Sequence, residues 1–268
     1  MGRQEPPFRG CSSRRGYGFR ERFHGNDFTA TISHWGRNVR RGLTKLGGLV
    51  VAAFCVAAAP LGVGAAWAGA KDRLFGYPAD RLGATRDHLP IERYMRLLPA
   101  SYALSGEALR NWQGVVDVIR RNSPEQKLHL AQEFFATVPY KTDLAAFGRE
   151  DYWASVGEFL TTGGDCEDYA LTKYRLLVDA GFPPEHLRVV LVEEIPTGRA
   201  HAVLTARVDG RTLVLDNQIE GVVDARKIRT YRPLYSMNEF ELWAHTDPKA
   251  PTAIEMIPLS ADDIATRK

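Results

Sequence analysis

Apolar side chains recur at helical spacing through the middle of the chain and give way to strand-like runs after it. Leu109, Trp112, Val115, Val116 and Ile119 fall on one face of a helix that Ser105 can cap. Pro124 suits the first turn of a second helix, whose apolar face carries Leu128, Leu130, Ala131, Phe134, Phe135 and Val138. Helical spacing alone accounts for these aromatic stripes, so they read as packing surfaces and not as ligand sites. Residues 139–162 predict a loop-rich connection with short helical pieces around Trp153 and Phe159. A third helix starts at Cys166, with Asp165 as N-cap and Asp168 three residues on. It turns Ala170, Leu171, Tyr174, Leu177 and Val178 inward and stops at Gly181.

Val- and Leu-rich segments at 187–195, 200–208 and 212–217 then predict three strands, the last two joined at Asp209-Gly210. Helices followed by an antiparallel sheet give an α+β fold, and no internal repeat interrupts it. Residues 71–100, punctuated by Gly76, Pro78, Gly83 and Pro90, predict an irregular lead-in across the surface.

Composition adds a boundary. With 44% hydrophobic and 25% charged residues in a chain of 268, a largely disordered protein is excluded and one folded domain is expected. Of the 35 basic and 32 acidic residues, ten and three lie in residues 1–45, leaving 25 basic against 29 acidic in the remainder. The overall charge of +3 therefore belongs to the N-terminal segment, and the rest carries no basic stripe for nucleic acid. An uncharged run between Lys45 and Lys71 ends in Ala66-Trp67-Ala68. Basic stretch, apolar core and small-x-small end make residues 1–68 a signal peptide, with an uncleaved membrane anchor as the alternative. Arg40-Arg41 before the run admits a twin-arginine route. The positive charge before the apolar run places the following domain, 69–268, in the periplasm. Cys11 and Cys55 fall in the N-terminal segment, so the exported domain keeps one thiol, Cys166, and no internal disulfide.

That thiol is chemically loaded. A cysteine at a helix N-terminus faces unpaired N–H groups and the positive end of the helix dipole, both of which favour thiolate; the plainer alternative is a small buried hydrophobe. A thiolate nucleophile is commonly paired with a histidine, oriented in turn by a third group. If Asp209-Gly210 forms a two-residue turn, Val208 pairs with Arg211 and Val203 lies opposite Asp216. His201, Val203, Thr212, Val214 and Asp216 then share one face, with Asp216 diagonal to His201 and within hydrogen-bond reach. A three-residue turn without a bulge would set the two on opposite faces. His129, His186 and His245 are weaker candidates, in an amphipathic helix, in a loop and after the sheet. The Cys166 N–H is one oxyanion donor, and Trp153 is a candidate for a second.

Asp165, Glu167 and Asp168 crowd Cys166 with negative charge that would raise its pKa. Helix capping can engage Asp165 and Asp168; alternatively a hard cation, Ca²⁺, is bound by carboxylate oxygens and loop carbonyls and neutralises the charge.

These blocks together resemble a known family. Pro139-Tyr140, Glu150-Asp151-Tyr152-Trp153-Ala154, Glu158-Phe159-Leu160, Gly164-Asp165-Cys166-Glu167-Asp168-Tyr169-Ala170, Ala200-His201-Ala202 and Leu215-Asp216-Asn217 are similar to the bacterial transglutaminase-like cysteine peptidases of LapG type, over residues 132–217. The resemblance implies a papain/transglutaminase-like fold with the Cys166 helix packed on the sheet. It implies Cys166 as nucleophile, His201 as base and acid, Asp216 as orienter, and calcium held by Asp165 and Glu167. It further implies a surface adhesin as protein substrate and an inner-membrane cyclic-di-GMP receptor as regulator. Gln132, Phe147-Gly148 and Ala154-Ser155-Val156 depart from the family pattern. The expected activity is that of an exported cysteine endopeptidase. A transglutaminase or amidase using the same triad, or a non-catalytic periplasmic binding module, are the alternatives.

Overall fold

The computed structural model describes residues 73–82, Leu104 and 106–245. The signal-peptide reading of 1–68 and the Ser105 cap lie outside these residues. Helix α1 (Gly106–Arg120) and helix α2 (Pro124–Phe135) form where the periodicity predicts them, although α2 ends three residues before Val138. Two short helices follow, α3 (Asp143–Phe147) and α4 (Val156–Thr162), and then α5 (Cys166–Asp179). Gly181 ends that run with φ +75°.

The sheet is larger than the sequence predicts. Strands β3 (Leu187–Glu194), β4 (Arg199–Val208) and β5 (Arg211–Leu215) fall in the three expected segments. Beyond them lie β6 (Val222–Asp224), β7 (Tyr231–Met237) and β8 (Leu242–His245). The lead-in expected to be irregular instead contains β1 (Arg73–Leu74) and β2 (Tyr77–Leu82). All strands pair antiparallel in the order β1-β2-β8-β7-β3-β4-β5-β6. Of the missed strands β1, β6 and β8 are short, and Pro233 in β7 argues against a strand interior. It is tolerated because the β3–β7 register shifts between Leu191 and Val192, opposite Pro233.

Both faces of this sheet are buried, as period-two alternation with apolar residues at successive positions requires. Val189 and Leu191 of β3 and Ala202, Leu204 and Ala206 of β4 pack under the helices. Val190, Val192, Val203 and Val214 face the other way, against Leu74, Phe75 and Tyr231. Helix α5 lies directly on β4.

His245, expected after the sheet, is in β8 and buried. Burial, then the Arg188 guanidinium stacked on Trp243, hold its pKa down at about 3. An unfolded histidine takes up a proton near pH 6.5 and the folded one does not, so this site loses stability as pH falls from 6.5 towards 3. The loss at the acid end amounts to roughly 4–5 kcal/mol. Chemical denaturation of His245→Gln between pH 7 and pH 4 is expected to show a shallower acid dependence than the parent, and equal slopes would refute the assignment.

Candidate active site

The approach to Cys166 is built on two glycines. Gly163 has φ +85°, and a Cβ there would lie 2.3 Å from the Pro139 carbonyl oxygen; at Gly164 a Cβ would lie 2.1 Å from Asp168 Oδ2. Their absence of side chains lets the Lys141 N–H donate to the Gly164 carbonyl at 2.9 Å, so segment 139–141 runs beside the start of α5. Asp165 is the N-cap, as predicted. Asp168 curls back: Oδ2 accepts from the Asp165 N–H at 3.3 Å and Oδ1 from the Ala154 N–H at 2.7 Å. Trp153 beside it is buried in the helical core.

The hairpin geometry places His201 and Asp216 together. Asp209 and Gly210 take φ 49° and 72°, the primed turn that preserves right-handed strand twist, and Leu204 pairs with Leu215. His201 Nε2 and Asp216 Oδ1 are 2.9 Å apart, both side chains buried. Asp216 also accepts from the Gln218 N–H at 2.8 Å and from the Tyr231 hydroxyl at 2.5 Å. Burial alone would raise its pKa; the His201 charge and these three donors outweigh it and hold the carboxyl below its ordinary value. An ionised Asp216 keeps the imidazole proton on Nε2 and leaves the Nδ1 lone pair to accept from the Gln218 side-chain amide at 3.3 Å. Cys166 is buried, at the first turn of the helix packed on the His201 strand, and its thiol donates to Glu167 Oε2 at 3.0 Å.

Acidic side chains gather around that thiol more densely than the sequence suggests. Besides Asp165 and Glu167, the cluster takes in Asp143, Asp151 and Asp168, in overlapping groups whose ligand atoms lie within 4.8 Å of one another. Asp143 Oδ1 is buried with no hydrogen-bond partner, while Oδ2 accepts from the Tyr152 N–H at 2.6 Å. Burial and the Asp165 charge push Asp143 up to about 7. Burial, then neighbouring carboxylates, drive Glu167 and Asp168 well above the ordinary range. A set of hard carboxylate oxygens within 4.8 Å of one another, with Asp143 Oδ1 buried and without a hydrogen bond, fits Ca²⁺ by donor chemistry. Asp143 was not legible as part of it, because an acid in the first turn of a helix capped by Thr142 is explained locally.

Residues 117–249 match the model of the bacterial transglutaminase-like cysteine proteinases. The chain belongs to this family. It is a cysteine protease, and Cys166 is the free cysteine among the described residues. Among solved structures, Legionella pneumophila LapG is 29% identical and covers 57% of this chain and 87% of its own, with TM-score 0.47; its calcium-bound form gives the same values. A putative cysteine protease from Cytophaga hutchinsonii is 14% identical over 63% of this chain and 59% of its own, with TM-score 0.25. Comparison with curated proteins returned no match. Membership in a proteinase family favours hydrolysis over amine transfer and over a non-catalytic module.

Several contacts of the proteinase had little sequence signal. Lys173, fully buried on α5, donates to Gln132 Oε1 at 2.7 Å, and Gln132 Nε2 donates to the carbonyls of Asp216 at 2.6 Å and Ile219 at 3.0 Å. Gln132, a departure from the family pattern, thus ties α2 and α5 to the loop that carries Asp216. Gln218 could have been anticipated from its place two residues after an Asx residue; Tyr231 had no local cue. Around Cys166, Gly164→Ala is expected to cost roughly 1–3 kcal/mol, as overpacking does. It also displaces Asp168 from the Ala154 N–H, so cleavage falls in protein that is still folded by circular dichroism. Unchanged activity and melting temperature would contradict the close approach.

Proposed function

We propose that this proteinase is an exported, calcium-dependent endopeptidase that uses Cys166, His201 and Asp216. The observation that carries the reading is the buried 2.9 Å His201–Asp216 hydrogen bond on the strand against which the Cys166 helix packs. In this mechanism His201 Nδ1 takes the Cys166 proton, because Asp216 holds the other ring nitrogen protonated. The thiolate attacks a backbone carbonyl, with the Cys166 N–H at the helix N-terminus as one oxyanion donor. The imidazolium then gives its proton to the leaving amine, and water releases the acyl-enzyme.

Asp165, Glu167, Asp143 and Asp168 would hold the calcium, which supplies positive charge to a cluster that otherwise opposes thiolate formation. Glu167 serves both the thiol and this cluster, which supports a link between cation binding and the state of Cys166. The basic N-terminal segment followed by an apolar run supports export to the periplasm. A surface adhesin as substrate and an inner-membrane cyclic-di-GMP receptor as regulator complete the reading, on the strength of the family resemblance.

Incubating extracellular proteins from the same cells with wild type or Cys166→Ala, with calcium or with chelator, tests it by mass spectrometry. A defined fragment formed only by wild type with calcium is the expected result. Products carrying cross-links or added amines without chain cleavage would overturn the endopeptidase reading. Fragments that persist under chelation would remove calcium from it.

A further inference from the structure

The turn of the first hairpin carries the wrong kind of residue for a turn. Phe75 and Gly76 join β1 to β2 with φ 51° and 92°. Two positive φ values ordinarily select Asn, Asp or Gly, and a bulky side chain held there costs on the order of 1–3 kcal/mol unless its surroundings enforce it. Phe75 is only 8% exposed, so the turn tip is driven into the protein and not displayed to solvent. Its ring meets Tyr231 edge to face, centroids 5.7 Å apart at 86°. Leu74 is buried beside it, among Val203 and Val214, on the face of the sheet that carries His201 and Asp216.

Tyr231 continues the contact to Asp216. Its hydroxyl donates to Oδ2 at 2.5 Å, and its ring centroid lies 5.8 Å from that of His201. The other carboxylate oxygen, Oδ1, already holds the His201 ring and the Gln218 N–H. One oxygen therefore faces the imidazole while the other is fixed by Tyr231, and together they set the rotation of the carboxylate about its Cβ–Cγ bond. Phe75 sits against the ring that does this.

We propose that Tyr231, clamped by Phe75 at the hairpin tip, is a positioning residue for the His201–Asp216 pair. The strand pair at 73–82, which precedes the family-matched span, is then a working part of the active site. The inference rests on the triad reading above.

The test uses the full chain with calcium and measures alkylation of Cys166 by iodoacetamide, resolved from Cys11 and Cys55 by peptide mass spectrometry. Variants are Tyr231→Phe, Phe75→Ala, their combination, Asp216→Ala and Tyr231→Phe with Asp216→Ala. Tyr231→Phe, which keeps the ring and removes the hydroxyl, is expected to slow alkylation about tenfold, the lower end of what loss of an outer partner costs a site. Phe75→Ala slows it less and adds nothing once Tyr231 is Phe; Tyr231→Phe adds nothing once Asp216 is Ala. The downfield proton resonance of the His201 Nε2–H shifts in Tyr231→Phe, which a purely structural role would not cause. Phe75→Leu, with apolar volume but no ring edge, replaces Phe75→Ala where that variant does not fold. An unchanged rate and an unmoved resonance in folded Tyr231→Phe, or additive effects of Phe75 and Tyr231, would overturn the proposal. If Asp216→Ala itself leaves alkylation unchanged, the triad reading fails instead.

Discussion

Cys166→Ala is expected to leave a folded proteinase whose cleavage of its substrate falls by on the order of 10⁴-fold or more, and His201→Ala to match it. On the proposed roles the two losses coincide because nucleophile and base act as one unit, so the second substitution has nothing left to remove. Cys166→Ala deletes one buried sulfur and its donation to Glu167, which is a small change for the fold. Asp216 is different. Three donors converge on its carboxylate, from His201, Gln218 and Tyr231. Asp216→Ala strands them, at about 1–3 kcal/mol for each donor left buried and unsatisfied, so melting temperature and activity fall together. Asp216→Asn keeps the shape, but its amide turns a donor towards groups that need an acceptor, and activity drops by roughly 10²–10⁴ through loss of the imidazole tautomer. Turnover and thermal melts of the four variants check the pattern. Wild-type cleavage by Cys166→Ala would mean that the thiol is not the nucleophile.

Calcium is expected to stabilise the proteinase more at pH 8 than at pH 5. Asp143 titrates at about 7, and Glu167 and Asp168 lie well above the ordinary carboxylate range, chiefly through burial. Between pH 4 and 7 the folded protein without metal therefore binds more protons than the unfolded chain. Stability accordingly falls as pH rises through that window, the reverse of the usual carboxylate effect. A cation bound by the same oxygens displaces those protons and abolishes the penalty. At a concentration one hundred times its dissociation constant, calcium adds about 2.7 kcal/mol to the folded state. Differential scanning fluorimetry across pH, with calcium or chelator, reads the effect, and calorimetry in buffers of different ionisation enthalpy reads the released protons. Asp143→Asn should weaken binding while leaving the His201–Asp216 pair in place. A melting temperature indifferent to calcium at pH 8 would exclude the site.

Local pattern and the hairpin turn make the His201–Asp216 pair legible in the sequence. A two-residue turn fixes the register, the register fixes the face, and the face fixes the neighbour. Helices α2, α4 and α5 were legible for the same reason, since period and caps are local properties, whereas the helical piece expected around Trp153 is absent and α3 lies at Asp143–Phe147 instead. What escaped were partners joined only by tertiary folding. Asp143 reaches the acidic cluster because segment 139–141 runs along Gly164, and nothing in Thr142-Asp143 announces that pairing. Tyr231 meets Asp216 across a loop, and Phe75 breaks the turn rule by which a hairpin there would have been recognised. Strands β7 and β8 were missed because one contains Pro233 and the other has four residues.

In its strand pairing the hairpin at 73–82 joins the sheet only through β8, the last strand among the described residues. During synthesis its residues emerge before those of β3 to β7 and must wait for their partner in β8. Contacts closed over such a separation form late, after local helices and the β4–β5 hairpin. Tyr231 and Phe75 meet only when that closure is complete. A proteinase built in this way stays without its finished carboxylate support until these two distant parts of its sheet come together.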